Sequence, residues 1–218
     1  MKLSKETISV IKNFASINNN LLIKSGSVLS TINAQKNVLA DAKITETFPI
    51  DFGVYDANEF LGVLSLFNDP DIDFNSKFAK ISDGVSSVKY FAADETVLTY
   101  PKKQINFPSA DVEFELSENQ LSSIMKTSSV LRAPDVSIVG DGSNLSVIVG
   151  DLKNPVANSF DVLIGTTDKT FTANFRVENL KLMPGKYDVA ISSKKISRFT
   201  SEDKSMNVFV ALESTSVF

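Results

Sequence analysis

The 218-residue sequence predicts an α+β fold made of two similar domains of mainly antiparallel sheet, each with helices packed on one face. Two observations carry that prediction. The order long helix, several strands, shorter helix, several strands occurs once before a proline-bearing extended stretch and again after it. A repeat of roughly 110 residues is the length of a duplicated domain and far exceeds a solenoid period. The expected boundaries are 1–104 for the first domain, 105–111 for a connector and 112–218 for the second domain.

In the first half, residues 4–16 read as an amphipathic helix. Ser4 is its N-cap, with the acid of a capping box falling one residue early at Glu6. Ile8, Ile11, Phe14 and Ala15 share the apolar face. Lys5, Ser9, Lys12 and Ser16 stack in a separate polar stripe. Short strands follow at 21–24, 27–32 and 37–44, the first two read as a hairpin about Ser25-Gly26, with another strand at 48–54. Residues 56–67 read as a second helix capped by Asp56, with Phe60, Leu61, Leu64 and Phe67 inward. Strands are expected at 72–82, 85–92 and 96–100. Residues 100–111, with Pro101 and Pro108 and no periodicity, read as an extended linker.

The second half opens with a strand at 113–116. A helix over 117–131 follows, with Ser117 and Gln120 forming a capping box. Leu121, Ile124, Met125 and Leu131 face the core. Asn119, Ser122, Lys126 and Ser129 line the opposite side, with Arg132 at the end. Strands are expected at 136–139, 145–149, 159–164 and 171–177, with Asp141-Gly142 as a hairpin turn. A short helix at 178–183 ends at Pro184-Gly185. Strands at 186–192, 196–201 and 207–213 complete the chain.

Composition narrows the function. Apolar residues make up 43% and charged residues 22%, which fits a globular chain and excludes disorder. The chain has no cysteine and no histidine. Thiolate and imidazole metal sites and the commonest neutral-pH general base are therefore missing, so no metal or cofactor is expected and an enzyme is disfavoured. No apolar run reaches the roughly 20 residues that span a bilayer. The opening Met1-Lys2-Leu3-Ser4-Lys5-Glu6 lacks the apolar core of a signal peptide. The expectation is a cytoplasmic protein with no membrane partner. Residues 1–104 carry 11 basic and 12 acidic side chains, and residues 105–218 carry 11 and 14. Any contact with nucleic acid must therefore come from local patterning.

Three motif-like segments fail on inspection. Asp69-Pro70-Asp71-Ile72-Asp73 begins like a calcium loop but has Phe74 and Lys80 where that loop needs Gly and Glu. Gly140-Asp141-Gly142 starts like a dinucleotide fingerprint, yet the third Gly and the following long helix are missing. Lys102-Lys103 is too short for a basic patch. With no phosphate-binding loop present, any ATP chemistry belongs to a partner.

A two-domain chain of this kind leaves exposed strand edges that must be covered or paired. Head-to-tail pairing closes a ring when the rotation permits. Lysines among short neutral side chains would meet phosphates without reading sequence. An ordinary solvated helix face is the competing reading, and a β-rich structural ring of a virion is the competing function.

Several segments carry a family likeness: Met1-Lys2-Leu3-Ser4-Lys5, Lys12-Asn13-Phe14-Ala15, Lys24-Ser25-Gly26, the block from Tyr55-Asp56-Ala57-Asn58 through Glu59-Phe60-Leu61-Gly62 to Val63-Leu64-Ser65-Leu66, Ala92-Ala93-Asp94, Phe107-Pro108, Met183-Pro184-Gly185 and Val210-Ala211-Leu212-Glu213. Together they resemble, in the same order, the T-even-type bacteriophage DNA sliding clamps, the polymerase processivity factors. The resemblance implies the sliding-clamp fold, closing into a homotrimeric ring around double-stranded DNA. The implied partners are the phage DNA polymerase, a clamp loader and late-transcription factors, in the cytoplasm of the infected bacterial host. It makes Lys5, Lys12, Lys126 and Arg132 the DNA-facing candidates. It places Ile105, Phe107 and Pro108 in a partner-peptide pocket, with Val38, Val210 and Leu212 as further members; interdomain core is the competing reading. Subunit contacts are expected at edge strands near Tyr90 and Phe91 and near Phe160, Val162 and Ile164; a buried sheet position is the alternative.

Overall fold

The computed structural model of the chain describes residues 1–154 and 156–218. Two compact units divide it, Met1–Gln104 and Ile105–Phe218. Every strand pairing named below is antiparallel.

The first unit runs α1 (Lys5–Ile17), β1 (Leu21–Ile23), β2 (Gly26–Ile32), β3 (Val38–Phe48), β4 (Phe52–Val54), α2 (Ala57–Ser65), β5 (Asp71–Phe74), β6 (Phe78–Ser82) and β7 (Ser87–Phe91). Ser4 caps α1 as its sequence predicts, accepting from the Thr7 amide. The carboxylate expected at Glu6 comes instead from β3. Glu46 accepts from the Ser4 amide and from the Thr7 hydroxyl, so the cap is completed by a residue 42 positions away. Partial burial pushes the Glu46 pKa up, but the bonds from Thr7 and Ser4 outweigh it and hold the carboxyl down at about 2. The far end of α1 is tied by Asn18, whose Nδ2 donates to Ile32 O at 2.9 Å and Thr99 O at 2.8 Å.

Helix α1 packs on β2, β3 and α2 through Ile11, Phe14 and Ala15. Thr7 is buried there too, while Ile8 is only half-buried. Edge-to-face contacts join Phe74 to Phe48 and Phe52 at 5.4 and 5.1 Å.

Four local expectations are corrected in this unit. β1 does not form a hairpin with β2. It pairs with β4, Leu21 against Val54 and Ile23 against Phe52. All three β1 side chains are buried, and Gly26, at a φ of 115°, turns the chain away after Ser25. The 48–54 stretch breaks at Pro49, so β3 ends at Phe48 and β4 holds three residues. The 72–82 stretch is two strands, because Asn75 Oδ1 accepts from the Lys77 and Phe78 amides and folds a tight turn. Residues 96–100 are not a strand: a 3-10 turn over Glu95–Val97 is capped by Asp94.

The second unit runs β8 (Val112–Leu116), α3 (Glu118–Leu131), β9 (Asp135–Asp141), β10 (Asn144–Gly150), β11 (Phe160–Thr166), β12 (Thr170–Arg176), β13 (Tyr187–Ser192), β14 (Ile196–Ser201) and β15 (Met206–Ala211). One sheet has the order β11-β10-β9-β12, and the other contains β15-β14-β13-β8. The Ser117–Gln120 capping box closes α3 as expected. Leu121 and Ile124 are buried beside Ser128, whose hydroxyl donates to Ile124 O at 2.7 Å; Met125 and Leu131 are half-buried. Asp141-Gly142 makes the β9–β10 turn, with Gly142 at a φ of 88° and Asp141 accepting from the Ser143 and Asn144 amides. The helix expected at 178–183 is a single 3-10 turn, Val177–Asn179, without a side-chain cap and followed closely by Pro184. Residues 105–111, the expected connector, precede β8 and fall within this unit.

Candidate nucleic-acid interface

The polar stripe on α1 is fully on the surface: Lys5, Ser9, Lys12 and Ser16 are all exposed. The Ser9 hydroxyl donates to Lys5 O at 2.9 Å, and that of Ser16 donates to Asn13 O at 2.6 Å. These serines spend their donors on the helix itself, which leaves a smooth neutral surface between the ammonium groups. The α3 stripe, Asn119, Ser122, Lys126 and Ser129, is also exposed. Arg132 follows it as a C-cap in the left-handed region at a φ of 53°, its amide closing on Ser128 O and Ser129 O. None of Lys5, Lys12, Lys126 or Arg132 forms an ion pair among the described residues, whereas Lys2 pairs with Asp69. Four cations thus remain available for phosphate. The same Lys2–Asp69 pair, and the strand at Asp71–Phe74, occupy the calcium-like segment.

Strand edges form the second element of the site. Sheet β5-β6-β7 has two edges. Met1 covers β5: its ammonium donates to Ile72 O and its carbonyl accepts from the Ile72 amide, both at 2.7 Å. Sheet β11-β10-β9-β12 also has two edges, and the C-terminal tail covers β12. Val217 exchanges two backbone hydrogen bonds of 2.8 Å with Thr172, and the Phe218 ring stacks on Phe171. Among the described residues nothing pairs with the outer edge of β7 or of β11.

Those two uncovered strands hold the candidate subunit contacts. On β7, Tyr90 points inward, packs edge-to-face on Phe60 and donates its hydroxyl to Asp56 O, while Phe91 is 69% exposed. On β11, Phe160, Val162 and Ile164 are half-buried on the sheet's inner side. Leu163, which sequence reasoning passed over, is 62% exposed. Strand alternation from its two β-branched neighbours carried that signal.

The candidate pocket residues separate into two sets. Ile105, Phe107 and Pro108 are half-buried on the connector. Val38 in the first unit, and Val210 and Leu212 in the second, are buried and offer almost no surface. Phe107 sits over the outward face of β14 and β15: its ring lies 6.4 Å from that of Phe209, and the Arg198 guanidinium lies 4.9 Å from its centre. Neither Phe209 nor Arg198 was singled out from sequence. Val208 and Val210 point inward, so alternation places Phe209 on the connector's side.

Comparison with known proteins decides the family. The chain is 32% identical to the sliding clamp of Vibrio phage KVP40, with 98% of this chain and 99% of that protein covered. It is 33% identical to the sliding clamp of Enterobacteria phage T4, over 99% and 98%. The chain belongs to the phage sliding-clamp family. A family model for DNA polymerase processivity factors matches residues 4–100. The fold agrees. Proliferating cell nuclear antigen from Entamoeba histolytica superposes with a TM-score of 0.70 at 14% identity, covering 97% of each chain. The Helicobacter pylori beta clamp gives 0.74 at 12% identity, covering 98% of this chain and 65% of that one. This sliding clamp is thus a processivity factor for a phage DNA polymerase, acting in DNA replication, and DNA and that polymerase are its partners by family. Among the described residues no helix is long and apolar enough to cross a membrane, and no group of three or more His, Cys, Asp or Glu side chains could hold a metal ion.

Proposed function

We propose that three copies of this clamp join head to tail into a closed ring that encircles duplex DNA and tethers the polymerase without performing chemistry itself. One observation carries the reading: in sheet β5-β6-β7 of the first unit and sheet β11-β10-β9-β12 of the second, one outer edge is covered by a chain terminus and the other is left unpaired among the described residues. Open edges are a liability that a monomer hides. Two open edges on different strands of one chain are complementary halves of a heterologous contact, and such contacts close into rings. Lys5, Lys12, Lys126 and Arg132, unpaired among the described residues, would face the DNA. Held on flexible stems, the lysines attract phosphates without fixing a register, so the duplex slides. Phe107 and its connector would receive the polymerase tail.

A closed ring needs an ATP-driven clamp loader to open it, because this chain carries no phosphate-binding loop. The same outer surface would serve late-transcription factors in the host cytoplasm. Two measurements test the reading. Light scattering should give a mass near three times 23.8 kDa. Loaded clamps should stay on circular DNA and run off linear DNA. A monomeric mass, or equal loss from both DNA forms, contradicts it.

A further inference from the structure

The two open strand edges carry charges of opposite sign. On sheet β5-β6-β7, Ile72, Phe74, Ala79, Ile81 and Tyr90 are buried on one face. Asp73, Lys80 and Lys89 are exposed on the other. They form one row across the three strands, Asp73 opposite Lys80 and Lys80 opposite Lys89. Like charges directly opposite in a sheet repel. Lys80 has Asp73 on its far side, whereas Lys89 stands on β7 with no strand beyond it among the described residues. The Lys89 ammonium lies 5.0 Å from the centre of the Phe78 ring. On β11 the exposed charge is Asp161, which stands opposite Ile148 of β10. Lys80, Lys89 and Asp161 form no ion pair among the described residues.

We infer that these charges select which edges meet: Lys89 of one copy, backed by Lys80, takes Asp161 of the next copy as its counter-charge, and the same charges keep each edge from pairing with its own kind. The inference rests on the proposed ring and names what makes its junction head to tail. An open edge offers backbone donors and acceptors to any other edge. Backbone pairing alone therefore permits β7 against β7, β11 against β11, or β7 against β11. The first sets Lys80 and Lys89 against two more lysines. The second sets Asp161 against another aspartate. Only the third brings opposite signs together. An exposed ion pair adds little affinity, while like charges brought together across a contact cost considerably more, so the charges act chiefly by excluding the two wrong pairings. Joining the two sheets with their buried faces on one side puts Lys89 and Asp161 on the same outer face. Directly opposite residues stand about 5 Å apart and diagonal ones about 7 Å, so a lysine reaches the carboxylate from either position. Phe91 and Leu163, each two residues further along its strand, are exposed on that face too and place an apolar contact beside the charges.

A charge exchange in the full-length clamp tests this, read by sedimentation velocity over a dilution series. Asp161→Lys should raise the concentration needed for half-assembly about tenfold or more, because it meets both lysines. Lys89→Glu should raise it less, since Lys80 then stands beside the introduced carboxylate. Both changes on one chain should recover most of the wild-type assembly. Added salt should weaken the wild-type assembly and strengthen that of Asp161→Lys, because screening removes an attraction in one and a repulsion in the other. Thermal melting checks that each variant is folded. A wild type that assembles, with single variants that assemble equally well, overturns the charge selection and leaves the ring standing. A doubly changed chain no better than Asp161→Lys alone, or the same salt response in wild type and Asp161→Lys, also overturns it. A wild type that stays monomeric at every concentration overturns the ring and the charge selection together.

Discussion

The Glu46 carboxylate accepts a 2.5 Å hydrogen bond from the Thr7 hydroxyl and another from the Ser4 amide, so a strand residue finishes the N-terminal cap of the first helix. The cap positions the turn that carries Lys5. Since Lys5 heads the exposed polar stripe of α1, the geometry of that stripe depends on a contact made from β3.

The first prediction concerns acid. Glu46 is held at about 2 against an ordinary value of 4.5. A carboxyl whose folded-state pKa is depressed stabilises the fold fully above its ordinary value, and that contribution fades as pH falls toward the folded value. Wild type should therefore lose more stability than Glu46→Gln between about pH 4.5 and pH 2, so their denaturation midpoints converge. At neutral pH Glu46→Ala should cost about 1 kcal/mol, the usual cost of a lost cap. Parallel pH curves for wild type and Glu46→Gln would contradict this.

How much of this was legible in the sequence depends on the range of the contact. The Lys5–Lys12 and Lys126 stripes were legible because helix spacing alone fixes which residues share a face. The caps at Ser4, Asp56 and Ser117 were legible for the same local reason. Glu46 was not, because its partner lies 42 residues away. The β1–β4 pairing was hidden by a three-residue strand buried on both faces, which shows no alternation. Ser128 is buried because its hydroxyl returns to the Ile124 carbonyl, a choice composition does not reveal. Phe91 was marked, but that its strand edge stays open while Met1 covers β5 follows only from pairing in space.

The second prediction concerns DNA. If Lys5 and Lys126 face the DNA as proposed, Lys5→Glu combined with Lys126→Glu should lower clamp-dependent stimulation of primer extension about tenfold or more, since each change reverses a charge that would meet phosphate. Both side chains are exposed and unpaired among the described residues, so folding and assembly should be unaffected. Full stimulation by the double variant would place the DNA elsewhere.

The third prediction separates pocket from core. Phe107→Ala removes a half-buried ring that contacts Phe209 and Arg198. If Phe107 receives the polymerase tail, polymerase affinity should fall about tenfold or more, with an unchanged assembly mass by light scattering. Loss of assembly with retained polymerase affinity would make Phe107 a packing residue.

The fourth prediction tests the direction of assembly. Phe91 on β7 and Leu163 on β11 are 69% and 62% exposed, so an aspartate at either place disturbs little within one chain. In a head-to-tail ring each junction uses the β7 edge of one copy and the β11 edge of the next. Phe91→Asp disables the first edge of every copy and Leu163→Asp the second, so each variant alone should be a 23.8 kDa monomer. Their mixture differs: the intact β7 edge of the Leu163→Asp chain can still meet the intact β11 edge of the Phe91→Asp chain. One junction forms, and the two free ends of that pair are both disabled. The mixture should therefore stop at a dimer, near twice 23.8 kDa, and neither variant nor mixture should remain on circular DNA. A self-complementary contact, in which each edge pairs with its own copy, predicts something else: each single variant keeps one working edge and dimerises alone. Dimers from the separate variants would thus refute head-to-tail closure, as would trimers from either.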